Sequence, residues 1–443
     1  VDRFFNGNPS NDQPVQDSTV HPRANYQGGD IEGMRHKLAE GYFDALHTNT
    51  LWMSPITQNP EDAWGLWNQG GPVSTFSGYH GYWPISNIKP DHRFASPEEL
   101  HLFLEDAHAN EQNVLLDYVA NHVHELHPVF QKHPNWATNK YTADGRLNTQ
   151  LWDEERLTTW FDTFMPTLEL RNDTVADLMS DSALVWITEY DFDGFRHDAT
   201  KHIPMNFTRL LTQKIRTASD NHIYQIGETY GSDELIASYV GSGKVDAQFN
   251  FNLYDAAFEA FTQEGATFDR LRKALESSLT YYGHHHLMGN ISGNQDKPRF
   301  SSMASGHLSM SEDSKLAGWT REIPEPTERG YRKMAAMHAF NIAVPGIPIL
   351  YYGDEIALHG GNDPDNRKMM PFDFSPRQQQ LFDRIARLNE NRTNIMALNY
   401  GSTTIHQPEP HLLIIVRKYM EQELRFFFNN SNEDRYLEDW DIT

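Results

Sequence analysis

Four short apolar runs in this chain each end in a cluster of polar side chains, and helical stretches separate them. These runs lead to Asp117, Asp198, Glu228 and Asp296. Alternation of strands and helices over this length favours a parallel sheet. Closed into a barrel, such a sheet places the carboxyl end of every strand at one face. The pattern therefore predicts an α/β fold, a (β/α)8 TIM barrel with acids at one mouth.

The spacing of Arg196 and Asp198 indicates a chemical role for the second run. Residues two apart lie on the same face of a strand, so the guanidinium would keep the carboxylate ionised and oriented, as a nucleophile requires. If the strand ending at Glu228 is a neighbour, the two acids face a common mouth. A separation of about 5 to 5.5 Å is typical of a retaining glycosidase. The alternative is two ordinary loop carboxylates, but the joint occurrence of several acid-tipped strands favours a site.

These runs resemble the four signature segments of the alpha-amylase family, glycoside hydrolase family 13. The resemblance extends in order from about Asp2 to Met370, and its segments are Asp117–His122, Gly194–His202, Gly227–Glu228 and Asn294–Asp296. It implies that Asp198 is the nucleophile and Glu228 the general acid and base. Asp296 would be the third carboxylate, which holds the hydroxyls of the distorted sugar.

The same resemblance implies which residues contact the sugar or support the acids. Tyr82 would stack on the sugar at the cleaved bond, and His80 would bond its hydroxyl; without the resemblance, such loop aromatics could equally be packing residues. Asp363 and Arg367 would bind a sugar on the non-reducing side, or form a local salt bridge. The implied set is His80, Tyr82, Asp117, His122, Arg196, Lys201, His202, Gln295, Asp363 and Arg367.

One signature position departs from the family, which usually has His where this chain has Gln295. Glutamine can hydrogen-bond a hydroxyl but cannot carry charge, so we expect a change in binding at the cleavage subsite.

Side-chain oxygens are dense near the start of the chain. Asn and Asp commonly stabilise plain turns, but their oxygens are also the ligands that calcium prefers. The segment resembles the calcium loop of the neopullulanase and cyclomaltodextrinase branch of the family, which implies a structural Ca²⁺ held by Asn6, Asn8, Asn11, Asp12, Asp30 and the Gly28 carbonyl. A second calcium site is not expected, because Glu169 stands where the family has an Asp. No organic cofactor is expected.

Composition restricts the partners and the compartment. The net charge of −24 argues against nucleic acid, since phosphate binding needs clustered Lys and Arg, and it is compatible with a neutral glucan or simply with solubility. No apolar run of about 18 residues offers a membrane span. There is no cysteine, hence no disulfide.

The chain starts at Val1, as a processed or trimmed protein would. We therefore expect a secreted or periplasmic location, with the cytoplasm as the alternative.

Domain boundaries follow from changes in periodicity. Periodicity fades over 123–172, which predicts a small inserted domain after the third barrel strand, between barrel segments 1–122 and 173–393. Three strand-like runs within 394–443 predict a C-terminal all-β domain.

Individual elements are predicted in the same way. We predict an aromatic strand at Asp2–Phe5, a strand at 245–251 and one long helix at 258–279.

The function these predictions favour is retaining hydrolysis of α-1,4-glucosidic bonds in maltooligosaccharides, starch or cyclodextrins, through a covalent glucosyl-Asp198 intermediate. The alternative is an α-glucan transglycosylase of the 4-α-glucanotransferase type, in which a sugar replaces water as acceptor. A third hypothesis is a non-catalytic carbohydrate-binding scaffold. The presence of all three acids argues against it. Oligomeric state is left open.

Overall fold

The computed structural model describes residues 1, 3–431 and 433–435. The chain forms two compact units: residues 1–249 with 367–372, and residues 250–366 with 373–443. The last eight residues of the predicted C-terminal domain lie outside the described residues, as do Asp2 and Asn432.

The first unit is built on a five-stranded sheet. Its helices are α1 (Ile31–Ala39), α2 (Tyr42–Ala45), α3 (Pro97–Ala109), α4 (Pro128–Lys132), α5 (Asp173–Thr188), α6 (Met205–Ala218) and α7 (Asp233–Ser238). Its strands are β1 (Thr50–Met53), β2 (Trp64–Trp67), β3 (Ser74–Phe76), β4 (Asn113–Tyr118), β5 (Gly194–His197), β6 (Tyr224–Gly227) and β7 (Ala247–Gln248). The sheet order is β1-β4-β5-β6-β7, with every pair parallel, while β2 and β3 form a separate hairpin.

Helix α3 shows how local sequence sets this topology. The Ser96 hydroxyl accepts from the Glu99 N–H at 3.2 Å, and the Glu99 carboxylate accepts from the Ser96 N–H at 2.7 Å. Pro97 occupies the first helical position, where its missing N–H costs nothing. Because α3 returns the chain across the sheet, β4 pairs with β1 in parallel.

Residues 123–172 contain little regular structure besides α4 and the short 3-10 helix Pro134–Trp136. The segment leaves and returns at one place: the Val123 N–H donates to the Pro166 carbonyl, and the Leu168 N–H donates to the Asn121 carbonyl. The loss of periodicity seen in the sequence is confirmed here, and the exact domain boundaries stay predictions.

The second unit contains a two-stranded parallel sheet, several helices and an antiparallel three-stranded sheet. Its helices are α8 (Phe251–Thr262), α9 (Asp269–Tyr282), α10 (Phe300–Ala304), α11 (Ser314–Thr320), α12 (Glu328–Ala343), α13 (Pro376–Asn394) and α14 (Met396–Tyr400). Its strands are β8 (Gly289–Ile291), β9 (Ile347–Ile349), β10 (Ser402–Glu409), β11 (Leu412–Tyr419) and β12 (Gln422–Asn429). The pair β8–β9 is parallel, and β10-β11-β12 is the antiparallel sheet that the three strand-like runs predicted. Among the described residues, no helix is both long and apolar enough to cross a membrane.

Three predicted elements are wrong. The aromatic strand at the start is a turn, because Arg3 adopts a left-handed φ of 71°. The strand predicted at 245–251 is limited to β7, since the chain enters α8 at Phe251. The single helix predicted at 258–279 is two helices, α8 and α9; the break between them includes Gly265, whose φ of 72° favours glycine.

Candidate active site

Three acids follow or occupy the carboxyl ends of neighbouring parallel strands. Asp117 on β4 is in register with Arg196 on β5, and His197 is in register with Gly227 on β6. Asp198 directly follows β5, and Glu228 directly follows β6. The shared sheet edge predicted for these acids is therefore confirmed.

One guanidinium contacts all three acids. Nη1 of Arg196 donates to Oδ1 of Asp117 and to Oδ1 of Asp198, each at 2.8 Å, and its Nη2 lies 2.8 Å from Oε1 of Glu228. The Arg196 side chain is only 1% exposed, so these ion pairs are shielded from water. The carboxyl groups of Asp198 and Glu228 thus contact the two Nη atoms of one guanidinium. We call Arg196 and its three partners the acid cluster.

Two of the acids have further donors that fix their orientation. Oδ2 of Asp117 accepts from the Tyr82 hydroxyl at 2.8 Å and from Nε1 of Trp52 at 3.3 Å. Oε2 of Glu228 accepts from the Ala199 N–H at 3.2 Å. Asp117 is fully buried, whereas the Glu228 side chain keeps 13% of its surface exposed and that of Asp198 keeps 10%. These two acids are therefore the members of the cluster that a ligand can reach.

Burial and mutual repulsion shift the titration of the cluster. Burial raises the pKa of Glu228, Arg196 opposes this shift, and the neighbouring Asp198 carboxylate raises it further. The pKa of Asp117 is raised for the same reasons. Burial lowers the pKa of Arg196, but the carboxylates more than compensate, so this pKa lies well above its usual value. A raised carboxyl pKa beside a second carboxylate is the environment that separates a general acid from a nucleophile.

The tip of β6 is held by a residue that sequence reasoning missed. The Thr200 hydroxyl accepts from the Glu228 N–H at 3.1 Å and donates to the His197 carbonyl at 2.9 Å. A Cβ on Gly227 would lie 2.8 Å from that hydroxyl, so only glycine fits there without moving it. Nothing in the sequence pattern distinguishes Thr200 from any other threonine after a strand.

Aromatic rings lie next to the acid cluster. The rings of His80 and Tyr82 are 5.9 Å apart and inclined by 19°, and Nε2 of His122 lies 3.2 Å from the Tyr82 carbonyl. The Arg196 guanidinium lies 5.4 Å from the Trp52 ring. The structure therefore brings together five of the predicted contact residues, namely His80, Tyr82, Asp117, His122 and Arg196. Trp52, which donates to Asp117, was missed because it reads as an ordinary apolar strand residue.

Lys201 and His202 are held by the inserted segment. Nζ of Lys201 donates to Asp153 at 2.6 Å, and Nδ1 of His202 lies 2.7 Å from the Arg156 carbonyl. The His202 ring also packs against Trp152. Burial lowers the pKa of His202 to about 4, so its ring is neutral at pH 7. No local sequence signal indicates this role for Trp152, Asp153 and Arg156. They lie more than 40 residues before Lys201 and His202 in the sequence.

The remaining predicted residues lie partly in the second unit. There Asp296 is exposed, and its N–H donates to Oδ1 of Asn294 at 3.0 Å. The carbonyl of the buried Gln295 accepts from Asn366 at 2.7 Å, and Asp363 lies 3.8 Å from Nζ of Lys315. In the first unit, the carbonyl of Arg367 accepts from Arg3 at 3.0 Å.

The predicted calcium ligands also lie in the first unit, and part of the set fits a hard cation. Oδ1 of Asn6 is buried and has no hydrogen-bond partner among residues 1, 3–431 and 433–435. A Cβ on Gly28 would lie 3.0 Å from Oδ1 of Asp12, so Asn6, Asp12 and Gly28 are adjacent. Asp30 is engaged by backbone: its carboxylate accepts from the N–H groups of Gly7, Asn8 and Gly33.

These ligands would be mostly amide and carbonyl oxygens. Within the described part of the chain, no group of three or more acidic, His or Cys side chains could hold a metal ion. Oδ1 of Asn8 accepts from Ser10, and the N–H of Asn11 donates to the Asn8 carbonyl, which gives the loop a compact turn.

Comparison with known families decides which protein group this cluster belongs to. The statistical model described as the alpha-amylase catalytic domain matches residues 1–396. The chain belongs to the alpha-amylase family.

Relatives within the family are distant but matched over nearly the whole chain. A cyclomaltodextrin glucanotransferase from Paenibacillus macerans is 25% identical over 98% of this chain and 59% of its own length. A cyclomaltodextrinase from Geobacillus thermopakistaniensis is 26% identical over 98% of this chain and 68% of its own length. The crystal structure of an Anoxybacillus alpha-amylase is 27% identical, with a TM-score of 0.81, covering 98% of this chain and 86% of that one. This chain thus spans about three-fifths of the glucanotransferase.

Family membership and the Anoxybacillus structure imply a TIM barrel followed by a C-terminal β domain, as the sequence predicts.

A second departure from the alpha-amylase family lies within residues 123–172. Glu169, which replaces the family's Asp, accepts from Nε of Arg171 at 2.6 Å, while Oδ1 of Asn121 is buried without a hydrogen-bond partner. Glu169 therefore already has a cationic partner.

Proposed function

We propose that this protein is a retaining glycosidase that acts on α-1,4-linked glucans. Glu228 protonates the glycosidic oxygen while Asp198 attacks the anomeric carbon, which breaks the C–O bond and forms a glucosyl ester. Glu228, now ionised, then removes a proton from the acceptor, which attacks the ester and releases Asp198. The observation that supports this function is the acid cluster, in which one guanidinium holds both acids at adjacent strand ends.

The electrostatics of the cluster support these two roles. Arg196 favours the ionised form of the acid it contacts, which suits a nucleophile at Asp198. Glu228 has a pKa raised by burial and by Asp198, which keeps its proton available for the leaving oxygen. Asp117 shares Nη1 of Arg196 with Asp198 and accepts from the hydroxyl of Tyr82, whose ring would cover the apolar face of the sugar.

We also propose roles for residues whose support is the family resemblance. Asp296 would hydrogen-bond the sugar hydroxyls as the third carboxylate, and its exposed position after β8 is compatible with this. Sugars on either side of the cleaved bond would be contacted by the remaining predicted residues, namely Lys201, His202, Gln295, Asp363 and Arg367. Residues 123–172 would form the small inserted domain after the third barrel strand.

The acceptor decides between hydrolysis and transfer, and we favour water. Matched relatives include both a cyclomaltodextrinase and a cyclomaltodextrin glucanotransferase, so products must be measured. Incubation of the protein with maltoheptaose, followed by chromatography, should give only chains shorter than the substrate. Early formation of chains longer than seven glucose units would contradict the hydrolase proposal and favour the transglycosylase. The Asp198→Asn protein, prepared identically, controls for contaminating amylase.

We propose that Ca²⁺ binds the N-terminal loop through oxygens of Asn6, Asp12 and Gly28, with Asn8, Asn11 and Asp30 as further ligands. The ion would stabilise the loop by crosslinking it. Removing it with a chelator should lower the melting temperature by roughly 5 °C, and Ca²⁺ but not Mg²⁺ should restore it.

Two substitutions make the calcium test specific. Asp12→Ala should abolish the calcium-dependent shift in melting temperature. Asp17→Ala is the matched control, because Asp17 is an exposed acid of the same segment whose carboxylate accepts from the N–H and hydroxyl of Thr19. An equal response of both variants, or no response of the wild type, would disprove the assignment.

A further inference from the structure

Arg417, near the end of β11, is buried and has no carboxylate partner among the described residues. Its Nη1 donates to the Ala343 carbonyl at 3.0 Å, and its Nη2 donates to the Gly401 carbonyl at 3.1 Å. The side chain is fully buried, and its Nε has no hydrogen-bond partner among the described residues. A buried N–H donor without an acceptor is costly and calls for an explanation.

A second arginine lies beside it. Arg392, near the end of α13, donates to the Gly346 carbonyl at 2.6 Å and to the Leu398 carbonyl. Both arginines therefore bridge the same two backbone segments, residues 343–346 and 398–401. The positive charge of Arg392 lowers the pKa of Arg417, which is consistent with adjacent guanidinium groups.

Three other buried arginines differ from this pair because each has a carboxylate partner. Arg93 pairs with Asp91, Arg196 with the acid cluster, and Arg299 with Asp354. Within the described residues, Arg392 and Arg417 form no salt bridge. Burial lowers the pKa of each to about 10, and no carboxylate raises it. No described acidic residue compensates the charge of this pair, although the chain is rich in them.

The backbone carbonyls compensate the positive charge of Arg392 and Arg417 only in part. Ala343 is the last residue of α12, so its carbonyl carries some of the negative end of the helix dipole. Such partial charges do not balance two full positive charges in a buried place, where an unpaired ion is expensive. The part of the chain that the structure describes therefore supplies no counter-ion of full charge for this pair.

His286 supplies a third N–H group nearby. A Cβ on Gly346 would lie 3.1 Å from Cε1 of His286, so the ring is adjacent to the segment that Arg392 contacts. Nδ1 of His286 accepts from the Met288 N–H at 3.2 Å, which assigns the ring proton to Nε2. Burial and the charge of Arg417 lower the pKa of His286 to about 4, so at neutral pH it is a donor without charge.

We propose that a small halide-class anion, chloride under ordinary conditions, binds at Arg417 and Arg392 and stabilises the fold of the second unit. An oxyanion is disfavoured because backbone carbonyls already occupy an Nη donor on each side of both guanidinium groups, which prevents bidentate binding. A single-atom anion needs only the remaining Nε–H of Arg417 and the combined positive charge.

The test is the melting temperature of the full chain at constant ionic strength, with chloride replacing methanesulfonate. Between about 1 and 300 mM chloride, the melting temperature should rise by roughly 3 °C and then saturate. Arg417→Met should abolish this rise. The matched control, Arg377→Met, removes an exposed arginine that pairs with Glu328 on the surface, and it should keep the rise. Equal behaviour in chloride and methanesulfonate would overturn the proposal, as would an undiminished rise in Arg417→Met.

A measurement on the wild type alone covers the case in which Arg417→Met fails to fold. The ³⁵Cl resonance should broaden in the presence of the protein, and bromide should reverse the broadening. In crystals soaked in bromide, an anomalous peak should lie within contact distance of Nε of Arg417. Absence of that peak, or its presence only at surface lysines, would overturn the site. If sulfate or phosphate raises the melting temperature as much as chloride does, the halide assignment is wrong.

Discussion

Replacing Asp198 by Asn should lower turnover of maltoheptaose by about 10⁴-fold or more while binding of the sugar survives. The amide has nearly the same shape as the carboxylate and can still accept from Nη1 of Arg196, so the cluster should stay folded. It cannot form the glucosyl ester. Turnover is measured by release of reducing ends, and binding by calorimetry with maltoheptaose.

A companion substitution separates the nucleophile from the acid. Glu228→Gln should also abolish turnover of maltoheptaose, but it should still release a burst of about one fluoride per protein from α-maltosyl fluoride, because fluoride leaves without a proton while the ester then lacks its base. Asp198→Asn should be inactive on both substrates. If Asp198→Asn cleaves the fluoride at the wild-type rate, Asp198 is not the nucleophile. If Glu228→Gln releases no burst of fluoride, Glu228 is not a dedicated proton donor.

The part of the site that could be predicted is the part encoded locally. The spacing of Arg196 and Asp198 follows from the two-residue repeat of a strand, and the structure has that ion pair. Glu228 could be placed because parallel strands end at one edge. That Arg196 also contacts Asp117 and Glu228 depends on the register between three strands. No single segment encodes this register, so sequence reasoning assigned supporting roles without the shared guanidinium.

The errors have related physical causes. Asp2–Phe5 has strand-like composition, but the conformation of residues 3–5 is set by distant partners of Arg3. Its guanidinium donates to the Asn25 and Arg23 carbonyls, and its φ is positive. The predicted helix at 258–279 overlooked Gly265, where a left-handed φ ends helical continuity. Thr200 and Trp52 were missed because each acts by donating or accepting one hydrogen bond across strands.

Replacing Arg196 by Met should destabilise the protein by about 3 to 5 kcal/mol at pH 7, because three buried or half-buried carboxylates lose their common counter-ion. Arg196 lowers the pKa of Asp117 and of Glu228, so its removal raises both further above the values in the unfolded chain. A carboxyl group with a raised folded-state pKa costs no stability below its unfolded pKa, near 4, and costs more as pH rises through the folded pKa. The deficit relative to wild type should therefore be smallest near pH 4 and grow as the pH rises above the folded pKa values of the wild type, which for Asp117 is about 7, as measured by urea unfolding between pH 4 and about pH 8.

Two controls separate charge from packing. Arg377→Met removes an exposed arginine and should change stability by less than about 0.5 kcal/mol at every pH. Adding Asp117→Asn to Arg196→Met removes one buried carboxyl group that has lost its counter-ion. The double variant should therefore recover part of the stability at pH 7. A deficit that is the same at pH 4 and pH 7 would mean that Arg196 stabilises by packing alone. Stability that recovers at pH 4 while turnover does not would show that the guanidinium has a second task, keeping Asp198 ionised for attack.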